Sequence, residues 1–115
     1  MILKRSFSMD VSPGDFPLAV RASKGDTSST IEVVLVSRQG LLSVPAVTTA
    51  FVWGRNAAGT ACEALGSLSL TGGVVSVSFD LTAAMTAVKG RTALEIVLSS
   101  GGYQLVTGTF YIDVR

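Results

Sequence analysis

Few side chains in this sequence could do chemistry. It holds no histidine, which removes both the usual general base at neutral pH and the commonest metal ligand. Cys62 is the one cysteine; with no imidazole to take its proton, it reads as a small hydrophobe packed in a strand near Trp53 rather than a nucleophile. Asp10 and Asp15 flank Pro13-Gly14, and a carboxylate pair could share acid/base work or hold a hard cation. Short carboxylates beside Pro-Gly more often bond the backbone of their own turn, however, and Lys24-Gly25-Asp26 reads as a turn for the same reason. Gly72-Gly73 and Gly101-Gly102 lie between strands and precede no helix, so neither is a phosphate cradle. The sequence therefore predicts no catalytic residue, no metal and no cofactor. Trp53 and Tyr103 are the aromatic residues that could stack on a sugar, although a lone Trp in an apolar strand is expected in the core.

The bulk numbers narrow the classes further. A chain of 115 residues is the size of one domain, and 48% hydrophobic against 15% charged residues gives it enough apolar surface to fold. The formal charge of +1 is too small for the basic field of a nucleic-acid binder. A mean hydropathy of +0.53 with so few charges predicts that other subunits cover part of the surface, hence an oligomer. A single cysteine forms no internal disulfide, so folding in a bacterial cytoplasm is compatible with it. Residues 6–10 are too polar for a signal peptide. No apolar run approaches the roughly 18 residues of a membrane-spanning helix.

The elements that must position these residues are strands. Val75, Val77, Phe79 and Leu81 alternate with Val74, Ser76, Ser78 and Asp80, the period of a half-buried strand. Leu94, Ile96 and Leu98 repeat the pattern within 92–99. Val106, Phe110, Ile112 and Val114 share one side of the last segment, with Gly108 among them as a bulge or a close-approach point. Ile31, Val33 and Leu35 form an apolar face whose reverse carries Glu32, Val34, Val36 and Arg38, and that mixed face is the predicted subunit interface. A further strand over 47–53 contains Trp53. Turns are expected at 38–40, 56–59, 71–73 and 99–102, where glycine supplies positive φ. The expected fold is thus an all-β antiparallel sandwich, immunoglobulin-like or jelly-roll-like, of about eight strands. Leu81, Ala84, Met85 and Val88 have helical spacing and predict one short helical turn over 82–88. Residues 1–115 are read as one domain with an extended N-terminal arm at 1–16.

Ala22-Ser23-Lys24-Gly25-Asp26 followed by Ile31-Glu32-Val33-Val34-Leu35 resembles the opening of the N-terminal domain of phage baseplate upper proteins. Later motifs are similar to that family in order: a turn closed by Gly59, the strand over 74–81, then Met85-Thr86-Ala87-Val88-Lys89-Gly90 leading into Leu94-Glu95-Ile96. A hairpin at Gly101-Gly102 and Thr107-Gly108-Thr109-Phe110-Tyr111-Ile112-Asp113-Val114 complete the match. Two departures stand out: Ala58 occupies the position of a frequent acidic residue, and family members continue into fibre sequence where this chain stops, as an excised domain or a short variant would. The resemblance implies a β-sandwich attachment module of tail, baseplate or fibre proteins in phages of Gram-positive bacteria, trimeric and docked on other virion proteins. It carries over no ligand residues. The expected function is a non-enzymatic virion component assembled in the host cytoplasm, with no nucleic acid or membrane as partner; the alternative is a carbohydrate- or receptor-binding module using Trp53 and Tyr103.

Overall fold

A computed structural model describes residues 4–10, 15–36, 48–71 and 74–115. Among the described residues nine strands follow in chain order: β1 (Lys4–Asp10), β2 (Asp15–Ala22), β3 (Thr30–Val36), β4 (Thr49–Arg55), β5 (Ala61–Thr71), β6 (Val74–Asp80), β7 (Gly90–Ser100), β8 (Tyr103–Val106) and β9 (Thr109–Val114). They form one hydrogen-bonded path, β1-β3-β6-β5-β4-β7-β9-β2, with β8 also on β7. Neighbours are antiparallel except at the two ends, where β1 runs parallel to β3 and β2 parallel to β9. The expected all-β class is what is found. The segment at the N-terminus that was expected as an arm contributes β1, an edge strand of this sheet.

Alternating burial explains the core. Ile31, Val33 and Leu35 of β3, Val75, Val77 and Phe79 of β6, and Leu94, Ile96 and Leu98 of β7 all point inward with Phe110, Ile112 and Val114 of β9. Phe79 and Phe110, from opposite halves of the path, meet with ring centroids 6.1 Å apart and planes tilted by 56°, a favourable edge-on contact.

Two separate sheets, as a sandwich would have, are not what the pairing gives. β5 serves both halves: it pairs β4 as far as Gly66 opposite Ala50, then pairs β6 from Ser67 opposite Ser78. A Cβ on Gly66 would lie 2.7 Å from Val77 Cγ1 and 3.1 Å from the Ala50 Cβ, so the concave side closes to a distance only glycine permits. The outcome is a single open sheet curled into a half-barrel. Side-chain alternation reports which face a residue takes, but not whether neighbouring strands part company, which is why the sequence suggested two layers.

The helical turn expected over 82–88 is absent; the segment is a run of turns and bends. Its apolar positions do cap the core, with Leu81 and Met85 buried. The carbonyls that a helix would use are taken by distant groups instead: Ala84 O accepts from Asn56 Nδ2 at 3.0 Å, Met85 O from Thr92 Oγ1 at 2.7 Å, and Thr86 O from the Gly25 amide at 2.9 Å. Tertiary partners outweigh a weak local preference.

Gly108 lies at a bulge, as its place in the sequence predicts. Val106 pairs with Val97, yet Phe110 pairs with Leu94, so one extra residue enters between β8 and β9. That insertion reverses the side-chain parity. Val106 therefore turns outward, 39% exposed, while Phe110 turns inward, correcting the expectation that they share a side. Thr107 is buried at the bulge, and its Oγ1 accepts the Ile96 amide at 3.0 Å. Thr107→Val should cost about 1–3 kcal/mol by leaving that amide unpaired, whereas Thr107→Ser should retain most of the stability. Urea unfolding of the two variants reads the difference.

Candidate interaction face

The outward residues of β5, β4, β7 and β8 fall into rows set by strand register. Leu65 lies opposite Phe51, Phe51 opposite Val97, and Val97 opposite Val106. Directly opposed side chains on one face sit about 4.5–5.5 Å apart, so these four make a continuous apolar strip across the sheet. Leu65 is 82% exposed, and Phe51 and Val97 are half-buried. In the next row Trp53 stands between Glu63 and Glu95. Neither carboxylate has a hydrogen bond or ion pair among the described residues. On the other flank, Thr49 faces Ser99, and their hydroxyls approach to 3.2 Å. One row beyond Trp53, Arg55 donates to the Gly59 carbonyl at 2.9 Å, and Arg91 lies 5.4 Å from the Tyr111 ring.

Trp53 is 42% exposed, against the expectation that it packs in the core. β4 sends Ala50 and Val52 inward, and the odd-numbered positions follow the opposite face. Trp53, Gly54, Arg55, Ala93, Glu95 and Thr109 border an open groove of about 240 Å³, smaller than the roughly 300–1,000 Å³ of ordinary ligand clefts. No group of three metal-ligating side chains occurs among the described residues. Cys62 is buried, as predicted; its Sγ donates to Thr60 O at 3.5 Å, and loss of solvation pushes its thiol pKa up, outweighing the lowering by the Asn56 backbone.

The interface expected from sequence occupies a different face. Glu32 and Val34 are half-buried and Val36 is exposed on the outside of β3, and Arg38 lies outside the described residues. Glu32 and Val34 stand opposite Ser78 and Ser76 of β6, which in turn face Ser67 and Ser69 of β5. That face is rich in hydroxyls, and the structure does not bring it together with Trp53. Tyr103 pairs through its backbone with Ser100 in the β7–β8 hairpin, and its side chain lies outside the description, as do those of Asp10 and Asp15. Sequence reading missed the strip of Leu65, Phe51, Val97 and Val106 entirely. Its only trace there is that Leu65 falls out of phase with Cys62, Ala64 and Leu68.

At one end of the sheet, Lys24-Gly25-Asp26 forms the expected turn, with Gly25 at φ +85°. The Asp26 carboxylate accepts from Ser29 Oγ at 2.6 Å, Ser28 N at 2.9 Å and Ser29 N at 3.1 Å. The Ser29 hydroxyl and then the Ser28 amide are the main reasons its pKa is lowered.

The structure thus defines a curled all-β domain with an apolar strip on one outer face. Its fold is similar to that of a solved structure, the N-terminal domain of phage TP901-1 ORF48, at a TM-score of 0.70 and 15% identity over 100% of this chain and 99% of that one. That likeness is one of fold, and it agrees with the phage N-terminal domain that the sequence motifs resemble. No protein-family model and no curated protein sequence matches the chain.

The indole of Trp53, the only tryptophan, should emit at a red-shifted wavelength and be quenched by acrylamide in the native protein, while Cys62 resists iodoacetamide until denaturant is added. Fluorescence and mass spectrometry check the pair. Asp26 should make stability pH-dependent in acid. Its folded pKa lies below the ordinary 3.8, so its contribution is complete above that value and lost as pH falls through the folded pKa. Asp26→Asn should flatten this acid limb in melting curves recorded against pH.

Proposed function

We propose that this chain is a single, non-enzymatic structural domain of a phage virion, attaching to neighbouring proteins of a tail, baseplate or fibre assembly and associating with its own copies there. The observation that carries this reading is the end-to-end likeness of fold to an N-terminal domain of a phage protein, joined to the sequence resemblance to baseplate upper proteins. A fold does not by itself fix a function, but the surface agrees with the reading. Among the described residues it offers a small open groove beside Trp53.

In this proposal the hydroxyl-rich face, with Glu32, Val34 and Val36, meets other virion proteins through many weak polar contacts. Assembly into a symmetric ring, trimeric by the family resemblance, lets such contacts act together. Folding requires no disulfide, in keeping with assembly in a host cytoplasm.

The exposed indole favours one second reading, a carbohydrate- or receptor-binding module in which Trp53, with Tyr103, stacks on a sugar. Native mass spectrometry of the purified chain with the tail and baseplate proteins of its phage separates the two. The structural reading expects defined complexes, weakened at least tenfold by Val36→Glu. A chain that binds none of these proteins, yet shifts its Trp53 emission on titration with host cell-wall glycans, would overturn it.

A further inference from the structure

Along β7 from Trp53 and Glu95, the far end of the same outer face is basic. Arg21 of β2, Asp113 of β9 and Arg91 of β7 stand in one row, in register across three strands. Beyond that row the Lys24 amide donates to the Arg115 carbonyl at 3.0 Å, and Lys89 directly precedes Gly90, which pairs with Val114. Five of the nine Lys and Arg residues of the chain are thereby gathered at one corner, and all five are exposed. With strands about 4.8 Å apart and residues rising about 3.4 Å each, their backbones fall within roughly 10 by 10 Å. That is close to the Debye length of about 8 Å at physiological salt, so the five charges act on an approaching partner as one field.

Little within the domain offsets this field. The Asp113 carboxylate is held by the Arg115 guanidinium at 3.0 Å, and the Asp26 carboxylate is turned into its own loop by Ser28 and Ser29. Five cations against these two carboxylates leave the corner with an excess of positive charge. Arg91 lies over the Tyr111 ring, which steadies the guanidinium without neutralising it. Lys24 and Lys89 have no side-chain hydrogen bond or ion pair among the described residues.

From this imbalance we infer that the corner docks on a cluster of Asp and Glu side chains presented by another protein of the assembly. The inference rests on the proposed attachment to virion proteins and names the chemistry of one such contact, on a face other than the hydroxyl-rich one over β3, β6 and β5. Exposed guanidinium and ammonium groups bind carboxylates through charge-assisted hydrogen bonds, and Arg does so two at a time. A long polyanion such as a nucleic acid is a poorer match. Glu95 lies four residues beyond Arg91 on the same side of β7, about 14 Å along the strand, and with Glu63 it flanks Trp53. A uniformly negative chain laid along the sheet would meet those two carboxylates, whereas a compact acidic cluster need not reach them.

Amide NMR spectra of the 115-residue chain, titrated with a hexaglutamate peptide, test this. The signals of Lys24, Lys89, Arg91 and Arg115 should move most, and the affinity should fall at least tenfold between about 0.05 and 0.5 M NaCl. Lys24→Glu and Lys89→Glu together should abolish these shifts at an unchanged melting temperature, since both side chains are exposed; if that variant does not fold, Lys24→Ala with Lys89→Ala replaces it. The same pair should weaken complexes with the tail and baseplate proteins of the phage at least tenfold. Shifts spread evenly over the surface, or tighter binding of a single-stranded oligonucleotide of equal charge, overturn the inference. Complexes indifferent to the paired variant overturn it too while leaving attachment intact. A chain that binds the peptide at this corner but none of those proteins overturns instead the attachment on which the inference rests.

Discussion

One backbone, that of β5, has to satisfy two neighbours in succession, and the missing side chain at Gly66 is what lets it do so. Up to Gly66 the strand belongs with β4; from Ser67 it belongs with β6. A methyl group there would collide with Val77 across the concave side. Because the strand turns without breaking, the inward faces of β3 and β6 are brought over those of β7 and β9, and a single sheet encloses its own core. Gly54 serves a related close approach nearer the groove, where a Cβ would overlap the Ala93 carbonyl oxygen. Both glycines have ordinary negative φ and are needed for space rather than for conformation.

The strands were legible wherever burial on one side imposes period two, as at Ile31, Val33 and Leu35 or Leu94, Ile96 and Leu98. Positive φ made Gly25, Gly59 and Gly101 readable as turns. What stayed hidden was every property that depends on which strand lies beside which. β2 carries little alternation, and its pairing with β9 shifts register between Asp15 and Ala19. Trp53 was misplaced because an aromatic residue among apolar neighbours resembles core, when only the phase of Ala50 and Val52 decides the matter. Val106 was misplaced by a single inserted residue.

The two outer faces differ in kind for a reason that begins in the chain. β6 and the second half of β5 alternate apolar residues with serine, so the outer side of β6 and β5 is rich in hydroxyls. β4 and β7 alternate core residues with Phe51, Trp53 and Val97, and the bulge at Thr107 adds Val106 to the same side. Leu65, Phe51, Val97 and Val106 thereby stand side by side on that flank, while Val36, Leu70 and Val74 are exposed elsewhere on β3, β5 and β6. The shallow groove beside Trp53 lies at the margin of that flank.

The bends over 82–88 hold their shape through carbonyls that answer to Thr92, seven residues beyond Met85, and to Asn56 and Gly25, which lie far away along the chain. None of those donors is in reach until β4 has turned into β5, β7 has formed and β2 has docked. The shape of this cap therefore depends on neighbouring strands being in place and not on a local helical preference.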